Sequence, residues 1–184
     1  MIKVPLHNNT LRTIIVLMVS IALFSQIVVA EPGLTLVNSK DWRDIYSVAL
    51  YSNLQQKEFD FLVHENQAQE KAILLSSKYT SAWLVESTTA PFVYNYNTNL
   101  ESKGIVIEKK TPSGDALALN RQLAQELSTK QFVLVNPQYG SDALAACPYA
   151  MKTGAYVLFV TPETINEVIS ILQTKKAEKV LVFG

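Results

Sequence analysis

Two aspartates stand at matching places in this chain. Asp44 follows Leu36-Val37-Asn38, and Asp142 follows Leu134-Val135-Asn136, each six residues after the Asn. Both are placed where a strand gives way to a helix. An Asp there caps free backbone N–H groups. The same place, at the carboxyl end of a parallel strand, is also where open α/β sheets hold ligands. Asn38 and Asn136 share that edge, either as turn residues bonding their own backbone or as ligand contacts. Arg43 has the strongest claim to an anionic ligand, since a guanidinium pairs bidentately with carboxylate or phosphate, although a solvated surface Arg reads the same way. Trp42, Tyr46, Tyr94, Tyr96 and Tyr139 offer rings that stack on sugars or simply pack. The candidate ligand-binding set is therefore Arg43, Asp44, Asn136, Tyr139 and Asp142.

Other chemistry is poorly supplied. Cys147 is the one cysteine, so there is no disulfide framework and no cysteine-based zinc site. It sits on an apolar helix face and reads as an inert thiol. His7 and His64 are the two histidines, and His64 has no metal-ligating neighbours in sequence. There is no P-loop, no G-x-G-x-x-G, no G-x-S-x-G and no zinc motif. No catalytic residues, metal or cofactor are expected, and the chain is expected not to be an enzyme. A carboxylate pair for glycoside hydrolysis is unsupported rather than disproved. The 16 Lys+Arg balance the 16 Asp+Glu, so no basic excess points to nucleic acid. With 48% apolar and 17% charged residues among 184, the chain can bury a core and is not a disordered segment.

The elements that position these residues begin after residue 30. Lys3 and Arg12 flank a polar start, and residues 13–30 are overwhelmingly apolar, ending in Val28-Val29-Ala30. That is the layout of a secretory signal peptide, with an uncleaved membrane anchor as the main alternative; a buried helix of the fold is the third reading, disfavoured because a helix apolar all round needs a larger protein to bury it. Either of the two main readings sends residues 31–184 across a membrane.

Beyond it the chain repeats at an offset of 98 residues. Aligning 33–86 with 131–184 without gaps gives ten identities in 54 positions, among them Asp44/Asp142, Tyr51/Tyr149, Phe61/Phe159 and Ile73-Leu74/Ile171-Leu172. An internal repeat organises everything else. Each unit reads β-α-β-α-β. In the second, Gln131–Asn136 is a buried strand, and a helix from about Ser141 ends at Gly154. Tyr156–Val160 is the next strand. Thr161 then caps a helix with Pro162 at its first position, and Val180–Phe183 closes the unit. Continuous apolar strands separated by amphipathic helices predict an α/β fold. Tandem βαβαβ units would form a mainly parallel sheet with helices on both faces. The organisation expected is 1–30 targeting segment, 31–86 first unit, 87–130 connecting αβα segment, and 131–184 second unit. In the connection, Ile105–Glu108 reads as a strand, Lys109–Gly114 as a turn and Asp115–Thr129 as a helix, while Ala90–Leu100 is ambiguous. The second unit lacks the αβα segment that follows the first. A longer protein is therefore expected, because a sheet ending on a bare strand is unusual.

Residues 141–184 resemble the cell wall-binding repeat 2 family. The likeness lies in Asp142-Ala143-Leu144-Ala145-Ala146, then Lys152-Thr153-Gly154-Ala155, then Val157–Val160 and Val180–Gly184. Residues 39–54, with Trp42-Arg43-Asp44, are similar to the family's other recurring stretch. The resemblance implies tandem modules of secreted bacterial or archaeal surface proteins, which attach non-covalently to anionic wall polymers. The expectation is a non-catalytic, extracytoplasmic envelope-attachment module. Its partners would be a wall polymer or glycan and other copies through repeat packing. No nucleic acid is expected, and no membrane except at the N-terminal segment. The alternatives are a structural surface-layer-type protein without a glycan ligand and, with less support, an extracytoplasmic enzyme.

Overall fold

A computed structural model describes residues 33–184; the targeting-segment expectation for residues 1–30 lies outside them. Among the described residues no helix is long and apolar enough to cross a membrane.

The first half runs β1 (Leu34–Asn38), α1 (Trp42–Leu54), β2 (Glu58–Phe61), a 3-10 turn (Glu65–Gln67), α2 (Ala68–Ser76), β3 (Ser81–Ser87), α3 (Tyr96–Glu101) and β4 (Val106–Ser113). The second runs α4 (Ala116–Glu126), β5 (Gln131–Val135), α5 (Gly140–Thr153), β6 (Tyr156–Phe159), α6 (Ile165–Thr174) and β7 (Lys179–Phe183). Every strand pair is parallel. The strands divide into two sheets, ordered β2-β1-β3-β4 and β6-β5-β7. The fold is α/β with helices alternating with strands, as the apolar runs require.

The pleat of the first sheet shows why helices are needed on both faces. Leu34, Leu36, Ala82 and Leu84 point to one side and pack with Ala72 and Leu75 of α2 and Tyr96 and Leu100 of α3. Val37, Trp83 and Val85 point to the other, toward Val48 of α1 and Leu119 and Leu123 of α4. Successive side chains alternate faces, so each strand feeds two cores. The second cluster continues without a break into Phe132, Val133, Val157 and Phe159 of the three-stranded sheet.

The offset of 98 survives in three dimensions. Leu34 pairs with Glu58 and with Ala82; Phe132 pairs with Tyr156 and with Val180. Each partner is displaced by the same number of residues in both sheets. The helix after the first strand also ends alike. Gly154 has φ +70° and Gln56, at the matching position, has φ +55°. The left-handed turn that glycine takes freely is thus imposed on a glutamine in the first unit. The second pair of helices keeps the offset in position but turns a different face inward. Ile73 and Leu74 of α2 are 55% and 61% exposed, whereas Ile171 of α6 is 5% exposed.

Several boundaries differ from the sequence reading. Lys109–Ser113 is strand, not turn; β4 pairs with β3 as far as Ser113, past Pro112. Pro112 is tolerated because β4 is an edge strand. The ambiguous stretch contains the short helix α3. Thr161 caps nothing: residues 161–164 form a turn tied by Thr161 N–H to Thr164 Oγ1 at 2.9 Å, and α6 begins at Ile165.

Candidate functional site

The carboxyl ends of β1 and β5 lead into corresponding loops, 38–41 and 136–139, and these loops meet. Lys40, Asp41, Trp42, Arg43, Ala90, Pro137 and Gln138 line an open cleft of about 470 Å³ between them.

The first loop is tightly built. Asp41 is the N-cap of α1, its carboxylate accepting the Arg43 N–H at 2.9 Å. Arg43 folds back onto the same carboxylate, with Nε 2.9 Å from Oδ1 and Nη2 2.5 Å from Oδ2. Burial pushes the Asp41 carboxyl up. The hydrogen bonds and charge of Arg43 more than offset that, so it ionises below its ordinary value. The guanidinium that sequence offered to an anionic ligand is therefore half-committed to a local carboxylate. Its side chain remains 35% exposed at the cleft.

Asp44 is not the cap the sequence suggested. It is the third residue of α1, is 1% exposed, and accepts the hydroxyls of Ser39 and Ser113, each at 2.7 Å. It ties the β1–α1 loop to the end of β4 instead of facing the cleft. Burial raises its pKa above the ordinary value, against the pull of the two hydroxyls.

Asn38 is also sealed. Its Oδ1 accepts the N–H groups of Phe92 (2.9 Å) and Val93 (3.2 Å), and its Nδ2 donates to Val93 O (2.6 Å) and Glu86 Oε2 (3.2 Å). One side chain thus pins the loop after β3 over the sheet edge. Lys110 completes the group, 3.4 Å from Glu86 Oε1.

The matching residues of the second unit are less enclosed. Asn136 is exposed and accepts only the nearby Gln138 N–H at 2.9 Å, a turn residue bonding its own backbone. Tyr139 is 64% exposed and accepts from Gln138 Nε2 at 3.2 Å. It caps α5 in position only, with no side-chain bond. Asp142 is the third residue of α5, as Asp44 is of α1, so it too is not a cap. Its nearest side-chain partner is the Ser141 hydroxyl at 3.5 Å, and Gly184 lies beside it. The structure therefore brings Arg43 to the cleft, buries Asp44 beneath it, and leaves Asn136 and Tyr139 exposed and Asp142 half-buried beyond the carboxyl end of β5.

The aromatic residues divide between packing and surface. Trp42 and Tyr46 pack on Phe159 of β6, with ring centroids 5.5 Å and 5.7 Å away, and the Tyr46 hydroxyl donates to Ala143 O. Tyr96 is buried and donates to Ala68 O; Tyr94 is 75% exposed. Cys147 is half-buried on an apolar groove between α1, β2 and α5, lined by Tyr46, Ala49, Phe59 and Met151. His64 is exposed and accepts the Asn66 N–H through Nδ1, capping the 3-10 turn.

Asn120 was invisible to sequence reasoning. It is wholly buried in α4 and acts on β6. Its Oδ1 accepts the Phe159 N–H (2.9 Å) and its Nδ2 donates to Val157 O (3.0 Å). Ser47 Oγ and the Tyr156 hydroxyl also lie within reach of Nδ2. A side-chain amide thus stands in for a neighbouring strand on the open edge of β6. The only signal was a polar residue inside the apolar stripe of Leu119 and Leu123. Among the described residues no group of three His, Cys, Asp or Glu is placed to hold a metal. The cleft offers two cations, Lys40 and Arg43, the Asp41 carboxylate, an indole and an amide side chain. No family model, no curated protein and no solved structure matches this chain.

Proposed function

We propose that this protein is a non-catalytic envelope-attachment module, exported from the cytoplasm, that binds a wall polymer or glycan in the cleft between the β1–α1 and β5–α5 loops. The observation that carries the reading is that corresponding loops of the two units jointly line that cleft, at the carboxyl ends of parallel strands. Lys40 and the exposed part of Arg43 suit an anionic repeat along the polymer, and Trp42 suits a sugar face. An open cleft favours a chain passing through it over an enclosed small molecule.

Co-sedimentation of the purified chain with a cell-envelope fraction of the source organism tests it at low and high salt. Pelleting that falls steeply with salt is expected, since exposed charge pairs are screened. Arg43→Ala should weaken pelleting, and unchanged pelleting removes Arg43 from the site. A second reading, a structural surface protein assembling without a glycan, is favoured by the bare apolar strand β7. Salt-indifferent self-association with no pelleting supports that reading.

A further inference from the structure

An apolar groove continues the polar cleft. The two share Trp42, whose indole lies against Gly140. From there the groove follows α1 past Ile45 and Tyr46 to Ala49, and then to Asn53 and Lys57. Its two stretches, of about 450 and 250 Å³, meet at Tyr46, Ala49 and Phe59. Trp42, Ile45, Ala49 and Asn53 stand three or four residues apart, so one face of α1 lines the whole length. At 1.5 Å of rise per residue, that face is about 17 Å long.

The other walls repeat the pattern. On α5 the alanines do the packing: Ala143, Ala146 and Ala150 are at most 1% exposed. The neighbouring stripe of Gly140, Leu144, Cys147 and Met151 lines the groove instead. Its two large members, Leu144 and Met151, are 67% and 50% exposed. From β2, Phe59 and Phe61 add stacked rings with centroids 5.8 Å apart. Scattered surface apolar residues are ordinary, but a contiguous apolar trough marks a binding surface. This trough opens at one end onto Lys40 and Arg43. A charged cleft joined to an apolar trough has the complementarity of an amphiphile.

We infer that the ligand of the cleft is a lipid-linked anionic glycan, held as a single amphiphile. Its acidic head sits between Lys40 and Arg43. One hydrocarbon chain passes over Trp42 and lies along α1 past Ala49 toward Asn53. The length fits, because a chain that fills one leaflet of a bilayer spans about 15 Å. Charge holds the head and apolar contact holds the tail, so each end of the ligand meets its own kind of surface. The inference rests on the polymer-binding reading and specifies its ligand as one that carries a lipid.

Calorimetric titration with dodecyl phosphate, kept below its micelle concentration, and with glycerol phosphate tests this. The two probes share a phosphate head, and only the first carries a hydrocarbon chain. Dodecyl phosphate should bind one per chain and about a hundredfold tighter or more, since burial of each methylene adds to affinity. Leu144→Gln with Met151→Gln should weaken dodecyl phosphate about tenfold or more and leave glycerol phosphate unchanged. Both positions are exposed, so the fold tolerates the pair. Ala49→Phe, which plugs the point where the two stretches meet, should act in the same way. Arg43→Ala should weaken both probes. Equal affinity for the two probes, with both weakened by Arg43→Ala, overturns the inference and leaves the cleft reading standing. Failure of dodecyl phosphate to bind also overturns it, whereas the cleft reading falls only with the loss of envelope pelleting. Tight binding that ignores Arg43→Ala and Lys40→Ala shows that the head is not in the cleft and overturns it. So does binding that ignores the groove variants, or that occurs on vesicles of anionic phospholipid and not with the monomer. A ligand-free dimer dissolved by Leu144→Gln and Met151→Gln would make a second copy the occupant and overturn it as well.

Discussion

At the scale of single residues, polar groups under the sheet edges decide the local structure. Asp44 is a carboxylate held in a place that prefers its neutral form. Its pKa is raised because burial penalises the charge more than the Ser39 and Ser113 hydroxyls favour it. The folded protein therefore holds this proton more tightly than the unfolded chain. Stability falls as pH rises from the ordinary carboxylate range through the raised value. Asp44→Asn keeps one acceptor and offers one donor to the two hydroxyls, without the charge. The variant should be as stable as the parent or more so at neutral pH, and should lose its advantage in acid; urea midpoints measured from pH 3 to pH 8 follow this. A variant clearly less stable than the parent at pH 7 would show that the charge itself is needed. Asn120 behaves in the opposite way. Asn120→Ala strips the partners from Phe159 N–H and Val157 O inside the core. The expected loss is about 3 kcal/mol, since buried donors and acceptors are left unmade. Equilibrium denaturation gives that number, and a loss under about 1 kcal/mol would mean water replaces the amide.

At the scale of elements, the helix ends show what holds the layers. The carbonyls at the C-terminal end of α4 are bonded by the side chain that follows α6: Lys175 donates to Gln125 O at 2.8 Å and to Leu127 O. A cation at a helix C-terminus satisfies orphan carbonyls and suits the dipole. Lys175→Met should cost about 1 kcal/mol, visible as a drop of a few degrees in melting temperature. Such long-range caps explain which elements were legible in sequence. The apolar strands and α1, α4, α5 and α6 were, because each carries its own period, and α5 its own breaker in Gly154. The end of β4 was not. Lys109-Lys110-Thr111-Pro112 reads as a turn, and becomes strand only because β3 supplies a ladder and Trp83 lies under Lys109, its Nζ 4.3 Å from the ring centroid. The site was half legible for the same reason. The repeat picked out the loops 38–44 and 136–142, but not which acid caps and which is buried. Asp41 and Asp44 differ only in what Arg43, Ser39 and Ser113 bring to them.

At the scale of the whole described fold, the two units share a core although they own separate sheets. Trp42 and Tyr46 of α1 pack on Phe159, the Tyr46 hydroxyl reaches Ala143 O, and Asn120 joins α4 to β6. All four strand residues of β6 are buried, and α1 and α4 from the preceding segments help to bury them. Neither sheet can be exposed without opening that cluster, so the repeat does not make two independent folding units. The two tryptophans report on different parts of it. Trp42 sits between α1 and β6, whereas Trp83 is in the middle of the four-stranded sheet, its indole N–H on Thr111 Oγ1 at 2.9 Å. Single-tryptophan chains made by Trp42→Phe and Trp83→Phe therefore follow the contact between units and the first sheet separately. Their fluorescence transitions in urea should coincide with each other and with the loss of helical circular dichroism, as one cooperative event requires. If the Trp42 signal changed at distinctly lower urea than the Trp83 signal, the units would part before the first sheet melts. The shared core would then be a docking contact between separable modules.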